Sequence, residues 1–377
     1  MSLRKFNPLY AGTYLYFINI MLFSYSAIEI PMKGTISQII NYIVVAWLIL
    51  GLITRKINSM SRLQFCFLLL GVTLAYLCEY RVNSNLNLLI ILLVGISVWN
   101  FDELDYIISR VYKILIVISI LLILMYFMGL VGRYYGFWVK NSLGIILFTI
   151  LGMKLYLKDF CFYSIKEKAG WVGIGITILL LIESRTAAIC CILMIVLAFI
   201  NSTIYREKTR KIFGTVVCAL SCIVVLLYFF GVNNYIEMPK EYEWLNELFS
   251  GRLEMVGYYL SEYNVTFFGK YLIHYNGLSN NIQYRYLDSS YFYVLLSYGA
   301  IFSIAIAVIY IHMIYHAIKQ DKINCICCLC VNLLYGISEL NLVSGCTNFV
   351  LFAMILLMKK EKVENVNMQI VRRKENK

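Results

Sequence analysis

Apolar runs of about 20 residues recur along the whole chain, each close to the length one helix needs to cross the ~30 Å hydrocarbon core of a bilayer. A water-facing surface cannot be assembled from such runs. Of the 377 residues 61% are hydrophobic and 14% charged, whereas soluble domains run at about 45–50% apolar and about 25% charged. Only three prolines interrupt the pattern. The sequence therefore predicts an all-α integral membrane protein, and excludes a soluble enzyme and a disordered chain.

The apolar runs place spans at 10–28, 34–53, 63–78, 86–99, 111–130, 141–157, 169–183, 186–204, 212–231, 289–315, 323–338 and 341–358, twelve in all. Residues 1–5 lead into the first run with no small-residue cleavage site, so that run is expected to stay as a helix. Lys and Arg in alternate connections set orientation by the positive-inside rule. One set of connections, with both termini, carries 24 of them and the other carries nine. Both termini are expected in the cytoplasm, with the protein in the cytoplasmic membrane. The chain then divides into residues 1–231 with nine spans, an outer loop at 232–288, residues 289–358 with three spans, and a basic cytoplasmic tail at 359–377. On this reading the net charge of +12 is a topological signal, and nucleic acid is not an expected partner.

Residues 169–204 fix one part of this topology. They would make a helix of roughly 54 Å, too long for one crossing, and cationic segments flank both ends. The chain is expected to turn outside at Glu183-Ser184-Arg185-Thr186, leaving Arg185 as a recessed, outward-facing charge. A charge at membrane depth is a functional candidate. The alternatives are snorkelling to lipid phosphates and pairing with Glu183. The nine outer cations are Lys33, Arg81, Arg133, Lys140, Arg185, Lys240, Arg252, Lys270 and Arg285, and five are arginines, against eight arginines among the 24 inner ones. Arginine grips phosphate oxygens with a planar fork, so this face fits a polyanionic ligand.

The 57-residue outer loop is long enough to form a lid. Pro239 is expected in the first turn of a helix to Phe249 with Trp244, Leu245, Leu248 and Phe249 on one face. A second helix, Arg252 to Asn264, places Leu253, Val256, Leu260 and Tyr263 on one stripe and Glu254, Ser261 and Glu262 away from it. Both read as amphipathic helices at the outer interface. Nine tyrosines crowd the loop. They are interfacial anchors or, with Trp244, apolar platforms for sugar rings. His274 is the one outer histidine, a candidate proton acceptor or a solvated loop residue. Asp288 precedes an apolar helix expected to run from Ser289 to Tyr315, where a carboxylate is also favoured by the helix dipole. Glu339, in the turn Ser338-Glu339-Leu340-Asn341, is a recessed carboxylate placed to pair with an outer arginine.

Of the 12 cysteines, Cys325, Cys327, Cys328 and Cys330 give two overlapping C-x-x-C spacings. In an apolar helix these read as small hydrophobes. No P-loop, GxGxxG or H-E-x-x-H is present, so neither a metal nor another cofactor is expected.

Several segments together resemble the O-antigen ligase and Wzy-type polysaccharide polymerase superfamily. Glu183-Ser184-Arg185-Thr186-Ala187 resembles its S-R-(G/T)-(A/S) element. Ser250-Gly251-Arg252, Phe267-Phe268-Gly269, Leu287-Asp288-Ser289-Ser290-Tyr291 and Leu295-Leu296-Ser297-Tyr298-Gly299 follow its order: Gly-Arg at a helix head, Phe-Gly, a (His/Asp)-Asn-x-Tyr-like element, and a Leu-Leu-x-x-Gly helix. Chain length, span number and loop position agree over nearly the whole sequence.

The resemblance implies a membrane glycosyltransferase that polymerises oligosaccharide repeat units carried on polyprenyl (undecaprenyl) pyrophosphate, for a capsule or O-antigen of the cell envelope. Arg185 and Arg252, with Arg285, would hold the pyrophosphate, where developing negative charge needs positive partners. Tyr291, Tyr259 and Trp244 would meet the sugar. Family ligases carry histidine where this chain has Asp288, so the proton acceptor is either Asp288 or His274. A flippase and a chain-length regulator of the same pathway are the implied protein partners. The competing readings are a flippase or transporter of the same lipid-linked sugars and a ligase-type transferase; a scaffold that only binds has no need of twelve helices.

Overall fold

The computed structural model describes residues 7–56, 73, 76, 86–98, 101–138, 140–157, 164, 166–167, 169–173, 184–272, 287–342 and 348–354. Among the described residues the regular structure is helical, apart from one isolated bridge between Ser26 and Phe137. The helices are α1 (Pro8–Asn19, continued by a π turn, Ile20–Tyr25), α2 (Lys33–Lys56), α3 (Asn87–Ser97), α4 (Phe101–Phe127), α5 (Lys140–Leu157), α6 (Arg185–Thr203), α7 (Glu207–Glu237), α8 (Glu243–Leu248), α9 (Arg252–Glu262), α10 (Ser290–Tyr293), α11 (Ala300–Lys319) and α12 (Ile323–Tyr335). Five of the described helices, α2, α4, α6, α7 and α11, are long and apolar enough to cross a membrane. Expected span 63–78, apart from residues 73 and 76, and the greater part of 169–183 lie outside the described residues.

The distribution of apolar side chains follows from a lipid surround. Leu226, Leu227 and Phe230 on α7, Ile304 and Ile311 on α11, and Val117, Leu121 and Leu124 on α4 are all exposed. Apolar exposure on this scale has no stable place in water, and acyl chains cover it without cost. The interior by contrast holds amide side chains that hydrogen-bond to one another, the usual way a buried polar group is satisfied. Asn19 donates to the Asn41 side chain at 2.8 Å, and Asn332 donates to Asn348 at 2.7 Å. The chain is a helical membrane protein.

α12 lies at the centre. It packs on α5, α6, α7 and α11, and Cys325, Cys327, Cys328 and Cys330 are buried among these neighbours. Enclosure on every side explains how α12 tolerates Asn324 and Asn332. Asn324 accepts from Asn201 and donates to the Leu155 carbonyl, tying α12 to α6 and α5.

Three expectations are corrected. Pro239 does not open a helix: α7 runs on to Glu237, with Met238 as its cap, and α8 begins only at Glu243. Proline has no N–H to continue α7, so it ends that helix and enters the turn at 239–242 instead. On α8, Leu245 and Phe249 pack inward while Trp244 and Leu248 are exposed, so the expected single apolar face divides into two. α9 matches its expected stripe, with Leu253 and Val256 buried and Leu260 and Tyr263 packed beside them.

The third correction is larger. The helix expected from Ser289 to Tyr315 is broken: α10 passes into a π turn at Val294–Tyr298, and Gly299 (φ +92°) separates it from α11. The lid chain fills the break. Lys270 N–H donates to the Leu296 carbonyl at 2.9 Å, Ala300 N–H donates to Thr266 at 2.9 Å, and Ile301 N–H donates to Phe267 at 3.3 Å. Backbone groups that a broken helix leaves unpaired are thereby satisfied away from water. The approach requires two glycines. A Cβ on Gly269 (φ +74°) would lie 1.9 Å from the Ser297 oxygen, and one on Gly299 would lie 2.4 Å from the Phe267 oxygen.

Candidate functional site

Arg252 opens α9 directly after a reversal in which Ser250 (φ +55°) and Gly251 (φ +78°) both take left-handed conformations. The reversal is pinned by Asn246, a buried residue of α8 whose side chain accepts from Glu254 N–H at 3.1 Å and donates to Glu243 at 3.3 Å. Behind it Leu253, Val256 and Tyr259 pack on Tyr228, Val232 and Tyr235 of α7. These contacts fix the start of α9 and send the Arg252 side chain towards the turn after α12. There Nε donates to the Ser338 carbonyl at 3.0 Å and Nη1 to the Phe249 carbonyl at 3.3 Å.

Glu339 occupies that turn and is 8% exposed. Its backbone is fixed on two sides: Glu339 N–H donates to Tyr335 at 3.1 Å, and its carbonyl accepts from the Ser290 hydroxyl. Ser290 also donates to Asn341 at 3.2 Å, and Asn341 donates to the Asn332 carbonyl at 2.8 Å. The carboxylate Oε1 accepts from Asn141, at the start of α5, at 3.2 Å. Arg252 Nη2 lies 3.6 Å from the same Oε1. That separation gives an ion pair but exceeds hydrogen-bond reach.

Asp288 is the third member. It precedes Ser289, the residue that caps α10, and is half-buried. Burial pushes its carboxyl pKa above the ordinary value, and the Arg252 charge opposes that rise. Glu339 is pushed up to about 7, first by burial and then by the charge of Asp288, against the opposing pull of Arg252 and the Asn141 hydrogen bond. One guanidinium thus serves two carboxylates in a poorly solvated place, the arrangement that separates carboxylate pKa values.

The remaining site candidates fall in different places. Arg185 is the exposed first residue of α6. Ser184 before it is buried against Gly144 of α5, whose added Cβ would meet the serine Oγ at 2.8 Å. Gly144 and Asn141 are three apart and share a face of α5, so the head of α6 and Glu339 meet the same face. Tyr291 donates its hydroxyl to the Leu333 carbonyl at 2.8 Å, and its ring packs edge-on to Phe229. That side chain ties α10 to α12. Tyr259 is fully buried in the lid's own core, and Trp244 is 63% exposed on the outside of α8. His274, Arg285 and Glu183 lie outside the described residues.

Sequence reasoning gives no site role to Asn141, Ser290 and Asn341. Each is a polar residue at the edge of an apolar run, which was the available signal, but a charge draws attention that an amide or hydroxyl does not. The chain matches no known family model, no curated protein and no solved structure.

Proposed function

We propose that this protein is a membrane glycosyltransferase that polymerises oligosaccharide repeat units carried on polyprenyl pyrophosphate at the outer face of the cytoplasmic membrane. One observation carries the reading: motif elements scattered from Gly251 to Gly299 converge at one end of the helix bundle. Arg252 meets Glu339 and acts electrostatically on Asp288, and Gly269 interlocks with Gly299. In the reaction the bond from the donor sugar's anomeric carbon to the lipid pyrophosphate breaks as a bond to the acceptor hydroxyl forms. Arg252, with Arg185 and Arg285, receives the departing pyrophosphate, and Asp288 takes the hydroxyl proton, with His274 the alternative acceptor. Developing charge in a low-dielectric site is where fixed cations contribute most. Twelve spans, both termini in the cytoplasm, and a flippase and chain-length regulator as partners belong to the same proposal.

The broken helix α10–α11 favours a second reading, because interrupted helices are common in transporters. A flippase of the same lipid-linked sugars would use the clasp between Gly269 and Gly299 as a hinge. Incubating the purified protein with a lipid-linked repeat unit and a chelator, then sizing the product, separates the two readings. A polymer ladder is the expected outcome. Unchanged single units, with translocation of the substrate in vesicles, would replace the polymerase by the flippase, and transfer of a single block to a different acceptor would indicate a ligase.

A further inference from the structure

The charge balance around Arg252 has a thermodynamic consequence. Arg252 Nε and Nη1 are held by the carbonyls of Ser338 and Phe249, which fixes the guanidinium plane, and Nη2 is left facing Glu339 at 3.6 Å. With both carboxylates ionised, Arg252, Asp288 and Glu339 together carry one net negative charge. Among the described residues the other groups interacting with Glu339 do not neutralise it: Asn141 of α5 is an amide, Cys190 of α6 a thiol and Tyr335 of α12 a phenol, uncharged near neutrality. The two carboxylates beside Arg252 therefore repel a diphosphate approaching that guanidinium, whatever cations meet its other oxygens, and desolvation makes that repulsion larger than it would be in water. Protonation of one carboxylate weakens it.

We infer that Glu339 is a displaceable internal anion on Arg252, and that a diphosphate takes its place only as Glu339 receives a proton. The inference rests on the reading of Arg252 as a pyrophosphate-binding residue and adds the regulation of that site. Glu339 is the member that receives the proton because it is the more buried carboxylate and loses its counter-ion when a phosphate oxygen takes the Nη2 of Arg252. Asp288 stays ionised and remains able to accept the proton of an attacking hydroxyl. The proton balance is one taken up from solvent on binding and one returned when the diphosphate leaves. The carboxyl of Glu339 titrates at about 7, so the linkage falls in the physiological range.

The test is calorimetric binding of inorganic pyrophosphate to the full-length purified protein at pH 6 to 8.5, in pairs of buffers with different ionisation enthalpies, for the wild type and Glu339→Gln. The ligand's own titration is common to both proteins and cancels in the difference. Above pH 7 the wild type is expected to take up about one more proton than the variant, and its affinity to fall about tenfold more per pH unit. Glu339→Gln should bind more tightly at pH 8. Equal proton uptake in the two proteins, or weaker binding by Glu339→Gln, overturns the inference. If Glu339→Gln does not fold, Asn141→Ala decides: loss of a hydrogen bond to the charged carboxylate should move the uptake midpoint to higher pH, and an unmoved midpoint overturns the inference. A wild type that makes a polymer ladder yet binds no pyrophosphate sinks the inference and leaves the polymerase reading standing. Pyrophosphate binding with no ladder does the reverse.

Discussion

Two arginine–carboxylate pairs lie near opposite ends of α7, and they are built differently. Arg210, in the first turn of α7, contacts Asp321 in the α11–α12 connection, with side chains 35% and 20% exposed. Arg252, packed near the other end, faces Glu339 at 3.6 Å with side chains 16% and 11% exposed. The first pair is direct and partly hydrated. Pairs of that kind contribute about 0–1 kcal/mol. The second is loose, poorly hydrated and shared with Asp288, so its charge is unbalanced and its carboxylates are easier to protonate. The difference separates a pair that fastens the head of α7 to a connection from a cluster poised to exchange a proton or an anion.

The largest expected effect comes from breaking the contact between residues 266–270 and the broken helix. Gly269→Val puts side-chain atoms into the Ser297 carbonyl and should cost more than about 4 kcal/mol, the range of backbone and packing catastrophes. Loss of the folded, monodisperse species in detergent is the readout, and a normally folded variant would refute the clasp. Next, Arg252→Ala should lower polymer formation roughly 10²–10³-fold, the usual loss when one fixed donor to a developing anion is removed. Arg252→Lys should recover little of it, since lysine lacks the planar fork. Arg210→Ala in the same product-sizing assay should leave polymer length unchanged; equal losses in both variants would erase the contrast between the two ends.

A smaller effect is expected in stability against pH. Glu339 titrates at about 7 in the fold against an ordinary 4.5. Its favourable contribution is therefore fully present below about pH 4.5 and is lost as pH rises through about 7. Glu339→Gln should raise the thermal midpoint more at pH 8 than at pH 5, measured by intrinsic fluorescence. A gain equal at both values would mean that Glu339 is not a perturbed carboxylate. Smallest of all, Arg210→Ala should destabilise by about 1 kcal/mol or less, read from the same thermal scans at low and high salt.

The expected helices held where one physical signal dominated. α2, α5 and α6 begin and end within a few residues of their apolar runs, because leaving lipid exposes unpaired backbone. α9 was legible from its stripe. The break at Gly299 was not, since an isolated glycine in an apolar run reads as helix until the chain that fills the gap is known, and that chain lies some 30 residues earlier at Thr266–Lys270. Within the candidate site, Arg252, Asp288 and Glu339 were each identifiable as charges near apolar segments. Their grouping was not, nor was the part played by Asn141, which reaches Glu339 across 198 residues.

Composition and periodicity alone determined that this chain is a helical membrane protein. The free energy of moving apolar surface and backbone out of water sums over residues, so it is read without knowing any contact. Only the tertiary structure decided which charges meet. Arg252, Asp288 and Glu339 come from a lid helix, a helix head and an inter-helix turn, and their chemistry depends on distance and on excluded water. Both quantities exist only after the lid has folded back over the bundle and locked into the broken helix.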